Sequence, residues 1–326
     1  MHTFLQNPHL ADIGSALRAW LAAPRSPEYC LYALADMSIL DATALRKMER
    51  LTAPGTALLE GSRYAAYEEL GPRLFPLSPL EPPAVERFIG IASGLPALSF
   101  VELLAPEGSP DRRGLVWLAE AETSDGLLLY CRFTDTRILP GVLQVLDRAQ
   151  IGRLGHTVRR WAWIGRDGGL HTRDFPCTTS DDDSATDVAI QFSDAQFAAL
   201  MQAAECDTLY QMLREVSPEI VPVLPPVDIY RRLDALLRVA RGYGLTEAPD
   251  QLQFVSIAWS SSERFHELEC LGPTWAATCS GGQRFGDAVK EWPDAIWDGI
   301  EVMTNNSIPV QREQDSTASH QTGNPL

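Results

Sequence analysis

The sequence is short of positive charge. Lys and Arg number 27 against 43 Asp and Glu among 326 residues, a formal charge of -16. A surface of that sign repels phosphate backbones and anionic lipid, which argues against nucleic-acid or membrane-surface partners and favours basic or apolar ones. Long apolar runs are missing too: nowhere do 18 apolar residues follow one another, so no membrane span is predicted. The N-terminus has no basic leader, and Asp12 and Arg18 interrupt its apolar stretch, so a signal peptide is not expected. Cysteine is sparse and unpaired in pattern. Cys30, Cys131, Cys177, Cys206, Cys270 and Cys279 are scattered singly with no CxxC spacing, the usage of a reducing compartment. Together these absences predict a cytoplasmic protein.

Constellations that carry chemistry are equally scarce. The six histidines, His2, His9, His156, His171, His266 and His320, never take the HxxxH or HExxH spacing that puts two imidazoles on one helical face, so no metal site is predicted. Asp181, Asp182, Asp183 and Asp187 lack the residue order and distal Glu of a calcium loop and read as a solvated linker. Gly281 to Gly286 precedes a predicted helix, but it follows no strand and no Lys-Ser/Thr pair completes a P-loop. No G-x-S-x-G elbow is present. The available Cys-His pairings, Cys131 or Cys177 with His156 or His171, rest only on nearness in sequence and keep a thiol or serine hydrolase open as an alternative. No catalytic residue and no cofactor is therefore predicted.

What is present is ordinary globular periodicity over a chain long enough for two domains. Leu10, Ile13, Leu17, Trp20 and Leu21 mark a helix face, and the apolar run from Tyr29 reads as a buried strand. Asp41 is placed to cap a helix reaching about Leu51, strands follow near Thr56 and Arg73, and Pro82 and Pro83 open another helix. Val116–Glu122 and Leu127–Phe133 then flank Ser124-Asp125-Gly126 as a predicted hairpin, a helix covers Ile138–Leu146, and Thr157–Ile164 with Leu170–Arg173 form a second hairpin. Parallel-type alternation followed by antiparallel hairpins predicts an α/β domain on a mixed sheet over residues 1–175. An acidic linker at 176–190 and an all-helical domain at 191–303 follow, the latter built from faces such as Phe197, Leu200, Met201, Ala204, Met212, Leu213 and Val216. The polar residues 304–326 read as a disordered tail. In Arg160-Trp161-Ala162-Trp163-Ile164 both faces are apolar, as in the middle of a sheet. Trp enrichment at interfaces also makes Trp161, Trp163 and Trp275 candidate partner anchors. Asp135 and Arg137 stand where a strand gives way to a helix, and are predicted to act as cap and tie.

Three segments, in order, resemble one family. Leu31-Tyr32-Ala33-Leu34-Ala35-Asp36 is similar to an opening apolar strand that ends in Asp. Gly71-Pro72-Arg73-Leu74-Phe75-Pro76-Leu77 resembles a Gly-Pro-x-Leu-apolar-x-Leu strand, and Cys131-Arg132-Phe133-Thr134-Asp135-Thr136-Arg137-Ile138-Leu139 resembles Phe-Arg-Phe-Tyr-Asp-Pro-Arg-Val-Leu, with Thr134 and Thr136 in place of Tyr and Pro. The family is that of type VI secretion effector chaperones, or adaptors, long known only as a domain of unknown function. The resemblance implies a non-enzymatic protein that binds a toxic effector in the producing bacterium and hands it to the secretion spike. It makes Asp36, Gly71, Pro72, Phe133, Asp135 and Arg137 the motif residues. A stand-alone toxin-binding protein is the remaining alternative.

Overall fold

The apolar run that begins at Tyr29 becomes the strand on which the N-terminal fold is built. In the computed structural model, which describes residues 4–77, 82–176 and 189–307, β1 (Tyr29–Ala35) pairs on one side with β3 (Arg73–Pro76) and on the other with β4 (Leu98–Leu104). Beyond these lie β2 (Thr56–Ala57) next to β3, and β7 (Val158–Ile164) followed by β8 (Leu170–Asp174) next to β4. The order β2-β3-β1-β4-β7-β8 is antiparallel at every pairing. A second sheet joins β5 (Glu120–Thr123) to β6 (Leu128–Tyr130) and, in parallel, to β9 (Ile190–Phe192). The N-terminal region thus combines helices with mixed sheet as predicted, but parallel pairing is confined to β5 and β9. A strand buried on both faces reads as an apolar run whichever way its neighbours point, so the sequence period carries no direction.

Helices cover both faces of the large sheet. On one side Leu31, Ala33, Phe75, Phe100, Ala162 and Ile164 pack with Ile13 and Leu17 of α1 (Ile13–Ala22), Met48 of α2 (Ala42–Glu49), and Phe88 of α3 (Pro82–Gly90). Asp41 caps α2 as expected, its carboxylate accepting from Ala44 N at 2.7 Å. On the other side Tyr32, Leu34, Val101, Leu103, Trp161 and Trp163 meet Leu115 and Leu118 of α4 (Arg113–Ala119), Val142 of α5 (Leu139–Val145) and Leu154 of α6 (Arg148–Gly155). The helix α4 corrects the predicted first hairpin. Val116 to Ala119 are helical, and only Glu120 onward pairs with β6, because a short apolar run fits either period until packing chooses.

The later helices are α7 (Asp194–Val216), α8 (Pro226–Gly242), α9 (Ala248–Ser260), α10 (Gly272–Cys279), α11 (Phe285–Lys290) and α12 (Asp294–Ser307). Ile229, Leu233, Leu236, Leu237 and Ala240 form the buried face of α8 as the spacing predicts, and Gly244, at φ +79, closes it while Leu245 N donates back to Ala240 O. In α7 the buried side chains are Cys206, Leu209, Tyr210 and Leu213; Met201 and Val216, assigned inward from sequence, are exposed.

The described residues divide into two units, one reaching Asp207 together with Leu224–Ile229, the other comprising Thr208–Val223 and the chain from Tyr230. The first unit extends past Phe175, where the sequence ended the N-terminal domain, since β9 pairs with β5 and the start of α7 stays with the strands. Of the predicted acidic linker, residues 177–188 lie outside the described residues. The tail expectation is corrected at its start: Thr304 to Ser307 continue α12, with Thr304 Oγ1 donating to Ile300 O at 2.9 Å, and residues 308–326 lie outside the described residues.

A strap of N-terminal residues crosses the β7–β8 turn. Asn7 N donates to Arg166 O, Leu10 N to Gly168 O, and Arg166 Nη1 to Leu5 O, with the Leu5 side chain fully buried. Gly168, at φ +81, admits the strap because a Cβ there would stand 2.2 Å from Pro8 O. Burial lowers the His9 pKa from 6.5 to about 4. The unfolded chain binds that proton near 6.5, so the contribution of neutral His9 to stability is present above 6.5 and is lost as pH falls toward 4. The amide hydrogens of Asn7, His9 and Leu10 are therefore expected to exchange faster at pH 4.5 than at pH 7 after correction for intrinsic rates, with the difference reduced in His9→Ala.

Candidate functional site

The three motif segments converge at the end of β1. Asp36 N donates to Ala97 O, and its buried carboxylate accepts from Ser38 N at 3.0 Å, Ser38 Oγ at 2.6 Å and Thr134 Oγ1 at 2.9 Å. The guanidinium of Arg132 lies 3.5 Å from the same carboxylate and also donates to Ser38 Oγ. Thr134 thus supplies a hydroxyl donor to Asp36. Gly71 and Pro72 are buried at the entry to β3, where Leu58 N donates to Pro72 O and ties β2 into the sheet.

Above Asp36 opens a groove of about 320 Å³. It is lined by the polar Asp36, Ser38 and Arg132 together with Leu59, Tyr64, Tyr67, Leu70, Gly71 and Tyr130. Tyr64 and Tyr130 meet edge to face at 5.0 Å between ring centroids, joining the turn before β3 to β6. Burial raises the Tyr130 hydroxyl pKa, and the Asp36 carboxylate adds to the rise, so this hydroxyl stays protonated at neutral pH. Its apolar lining is open to solvent at Tyr67, 66% exposed, Leu70, 63%, and Tyr130, 36%; Leu128, two residues before Tyr130 on β6, is 54% exposed. Contiguous exposed apolar surface of this kind marks an interaction site.

Asp135 and Arg137 do not line the groove. Asp135 is fully buried and takes Arg137 in a two-point grip, Nε to Oδ1 at 3.0 Å and Nη2 to Oδ2 at 2.6 Å, while Oδ1 also accepts from Arg137 N. Arg137 then reaches Asp207 at 3.4 Å and lies 4.7 Å from the ring centroid of Phe4, and Asp207 is also gripped by Arg166. The pair ties the segment before α5 to α7, to the β7–β8 turn and to the strap. Phe133, also fully buried, packs edge to face on Trp161 at 5.5 Å.

The three tryptophans carried as partner anchors are corrected to core residues. Trp161 is fully buried and donates to Ser99 Oγ at 3.1 Å; Trp163, on the same face, is buried and stacks on His171 at 6.0 Å. Trp275 is buried in the helical unit, stacked on Tyr243 and Phe285 with its Nε1 donating to His266 O. A side chain in the middle of a two-faced sheet or a ring cluster has no surface left to offer. In the N-terminal unit the exposed aromatic side chains are instead Tyr67 and Tyr130, in a turn and on an edge strand that sequence periodicity does not single out.

The other chemical candidates resolve into structural partners. Burial pushes the Cys131 thiol up to about 12, which keeps it protonated and poorly nucleophilic. His171 is held by Asp167 at 3.1 Å, and Cys177 lies outside the described residues. Gly286 N donates to Asp250 Oδ1 at 3.0 Å, so the glycine loop before α11 is met by the chain's own carboxylate. A larger groove of about 700 Å³ holds Arg63, Arg112 and Arg113, which pair with Glu120, Glu60 and Asp111. Among the described residues no group of three or more His, Cys, Asp or Glu could hold a metal ion, and no helix is long and apolar enough to cross a membrane.

Residues 31–153 match a family model, Domain of unknown function (DUF4123). The matched stretch runs from β1 into α6 and contains the three motif segments with every residue that lines the Asp36 groove. Similarity to this domain therefore covers the strand ends, the turn and the edge strand, and stops short of the helical unit. No curated protein and no solved structure matches the chain.

Proposed function

We propose that this protein is a non-enzymatic adaptor that binds a type VI secretion effector in the cytoplasm and helps load it onto the secretion spike. The observation that carries the reading is the exposed apolar lining of Tyr67, Leu70 and Tyr130, with exposed Leu128 beside Tyr130 on β6, built where the motif segments meet within the matched stretch. Apolar surface held on a fixed scaffold suits stoichiometric gripping of another protein, and a few such side chains commonly carry most of an interface's energy. The charge of -16 suits a cargo with basic segments, speeding capture while apolar contacts do the holding. Of the two thiols named for the hydrolase alternative, Cys131 is kept protonated by desolvation, which counts against it as a nucleophile, and Cys177 lies outside the described residues.

The test is co-expression with the toxin candidate encoded beside the gene, followed by purification on a tag. Co-elution and improved solubility of the toxin are expected. Tyr67→Asp combined with Leu70→Asp should weaken the complex by about 2 kcal/mol, roughly thirtyfold, with no loss of thermal stability because both side chains are mostly exposed. Added salt should slow association and leave dissociation nearly unchanged. A toxin that is equally soluble alone and never co-elutes overturns the adaptor reading. Binding of the toxin without binding of the spike protein would support the stand-alone toxin-binding alternative.

A further inference from the structure

The Asp36 groove is bordered by a sheet edge. In the second sheet the order is β6-β5-β9, so among the described residues β6 is paired on one side only. The ladder to β5 runs through the odd-numbered residues, since Thr123 N donates to Leu127 O and Cys131 N to Ala119 O. Antiparallel pairing alternates, so the N–H and C=O groups of Leu128 and Tyr130 point away from β5. The same two residues carry exposed apolar side chains, and β6 has neither Lys nor Pro, the devices with which sheet edges usually repel another strand.

We infer that β6 is a docking edge that takes an extended segment of the cargo as an added strand, apolar at alternate positions and flanked by Lys or Arg. Four backbone groups of Leu128 and Tyr130 supply the pairing, and the added strand's side chains on that face lie against Leu128, Tyr130 and the groove wall at Tyr67. The demand for basic flanks comes from the charges around the edge. Glu122 stands across the ladder from Leu128, Asp125 occupies the β5–β6 turn, and Glu68 and Glu69 are exposed in the turn that carries Tyr67 and Leu70. The nearby cations, Arg63 and Arg132, are engaged with Glu120 and Asp36. This rests on the adaptor reading for the identity of the cargo, though the edge itself can be tested without it.

Leu128→Pro is the discriminating variant. Its missing N–H is one that points outward, so every bond to β5 survives while an added strand loses a donor. Leu128→Lys keeps the backbone and adds a repelling charge, and serves if the proline variant unfolds. The probe is a synthetic peptide of alternating Val and Thr with two Lys at each end, added to the full chain; a control peptide carries Glu at the ends. The Lys-flanked peptide is expected to slow hydrogen exchange at Leu128 and Tyr130, to bind at least tenfold more tightly than the Glu-flanked one, and to lose at least tenfold in affinity on Leu128→Pro or Leu128→Lys. Unchanged exchange at those amides, equal binding of both peptides, or a concentration-dependent dimer that Leu128→Pro abolishes would each overturn the inference, the last by showing the occupant to be a second copy. In the co-expression assay, a toxin retained equally by wild type and Leu128→Pro removes the edge and leaves the adaptor. A toxin that wild type never retains removes the adaptor, and the peptide arm still decides the edge.

Discussion

Asp135→Ala is expected to destabilise the N-terminal unit by about 3–5 kcal/mol, the usual cost of breaking a buried ion pair by removing one partner. Asp135 is fully buried, so nothing from solvent replaces the oxygens that receive Arg137 N, Nε and Nη2. Arg137 would retain the 3.4 Å contact to Asp207, which Arg166 already shares, and the Phe4 ring. From sequence, a helix-cap role alone predicts a loss on the order of 1 kcal/mol; burial of the pair raises it. At roughly 2–4 °C per kcal/mol for a unit of this size, the melting temperature should fall by about 10 °C. Asp135→Asn, which keeps an acceptor for Nε and loses the charge, should fall between alanine and wild type. A loss of under about 1 kcal/mol in thermal denaturation would mean that Asp207 alone satisfies Arg137.

Trp161→Ala is expected to cost about 3–5 kcal/mol, in the range of large aromatic truncations in cores. The ring lies in the centre of the sheet against Phe133 and leaves behind both a cavity and a Ser99 hydroxyl without its donor. Trp161→Phe should recover most of the volume and cost substantially less. Chemical denaturation separates the two. The folded fraction of either variant should bind cargo as wild type does, because the ring reaches no surface; selective loss of binding at unchanged stability would restore Trp161 to the role of anchor.

Several parts of the fold were legible because they depend on neighbours in sequence. Asp41 three residues before Ala44 is a local cap, and Gly244 after the last turn of α8 is a local stop. The β7–β8 hairpin follows from Gly168 and Gly169 between the apolar run of β7 and the short segment from Leu170. The Asp135 and Arg137 tie was half legible. Their spacing revealed the local ion pair but not a cap, since α5 starts at Leu139 after Ile138 with no side-chain cap and the Asp135 carboxylate is taken by Arg137; Asp207, which joins Arg137 to Arg166, lies 70 residues away and carries no local mark.

The sequence by itself determined the fold class of the protein: an acidic chain, helical after Asp194, with strands and helices before it, and three motif segments that fall within the stretch matching a domain of unknown function. Tertiary structure alone decided strand direction, which residues face solvent, and where the motifs meet. Val116 to Ala119 became helix because α4 packs on the sheet. Three residues at Ile190 became a strand because β5 offered them a partner. Trp161 and Tyr130 are both aromatic residues in strands, yet one lies at the centre of a sheet covered on both faces and the other on an edge. Periodicity records only which side chains prefer to leave water; whether a neighbouring strand or helix is there to cover them depends on contacts between residues far apart in the chain.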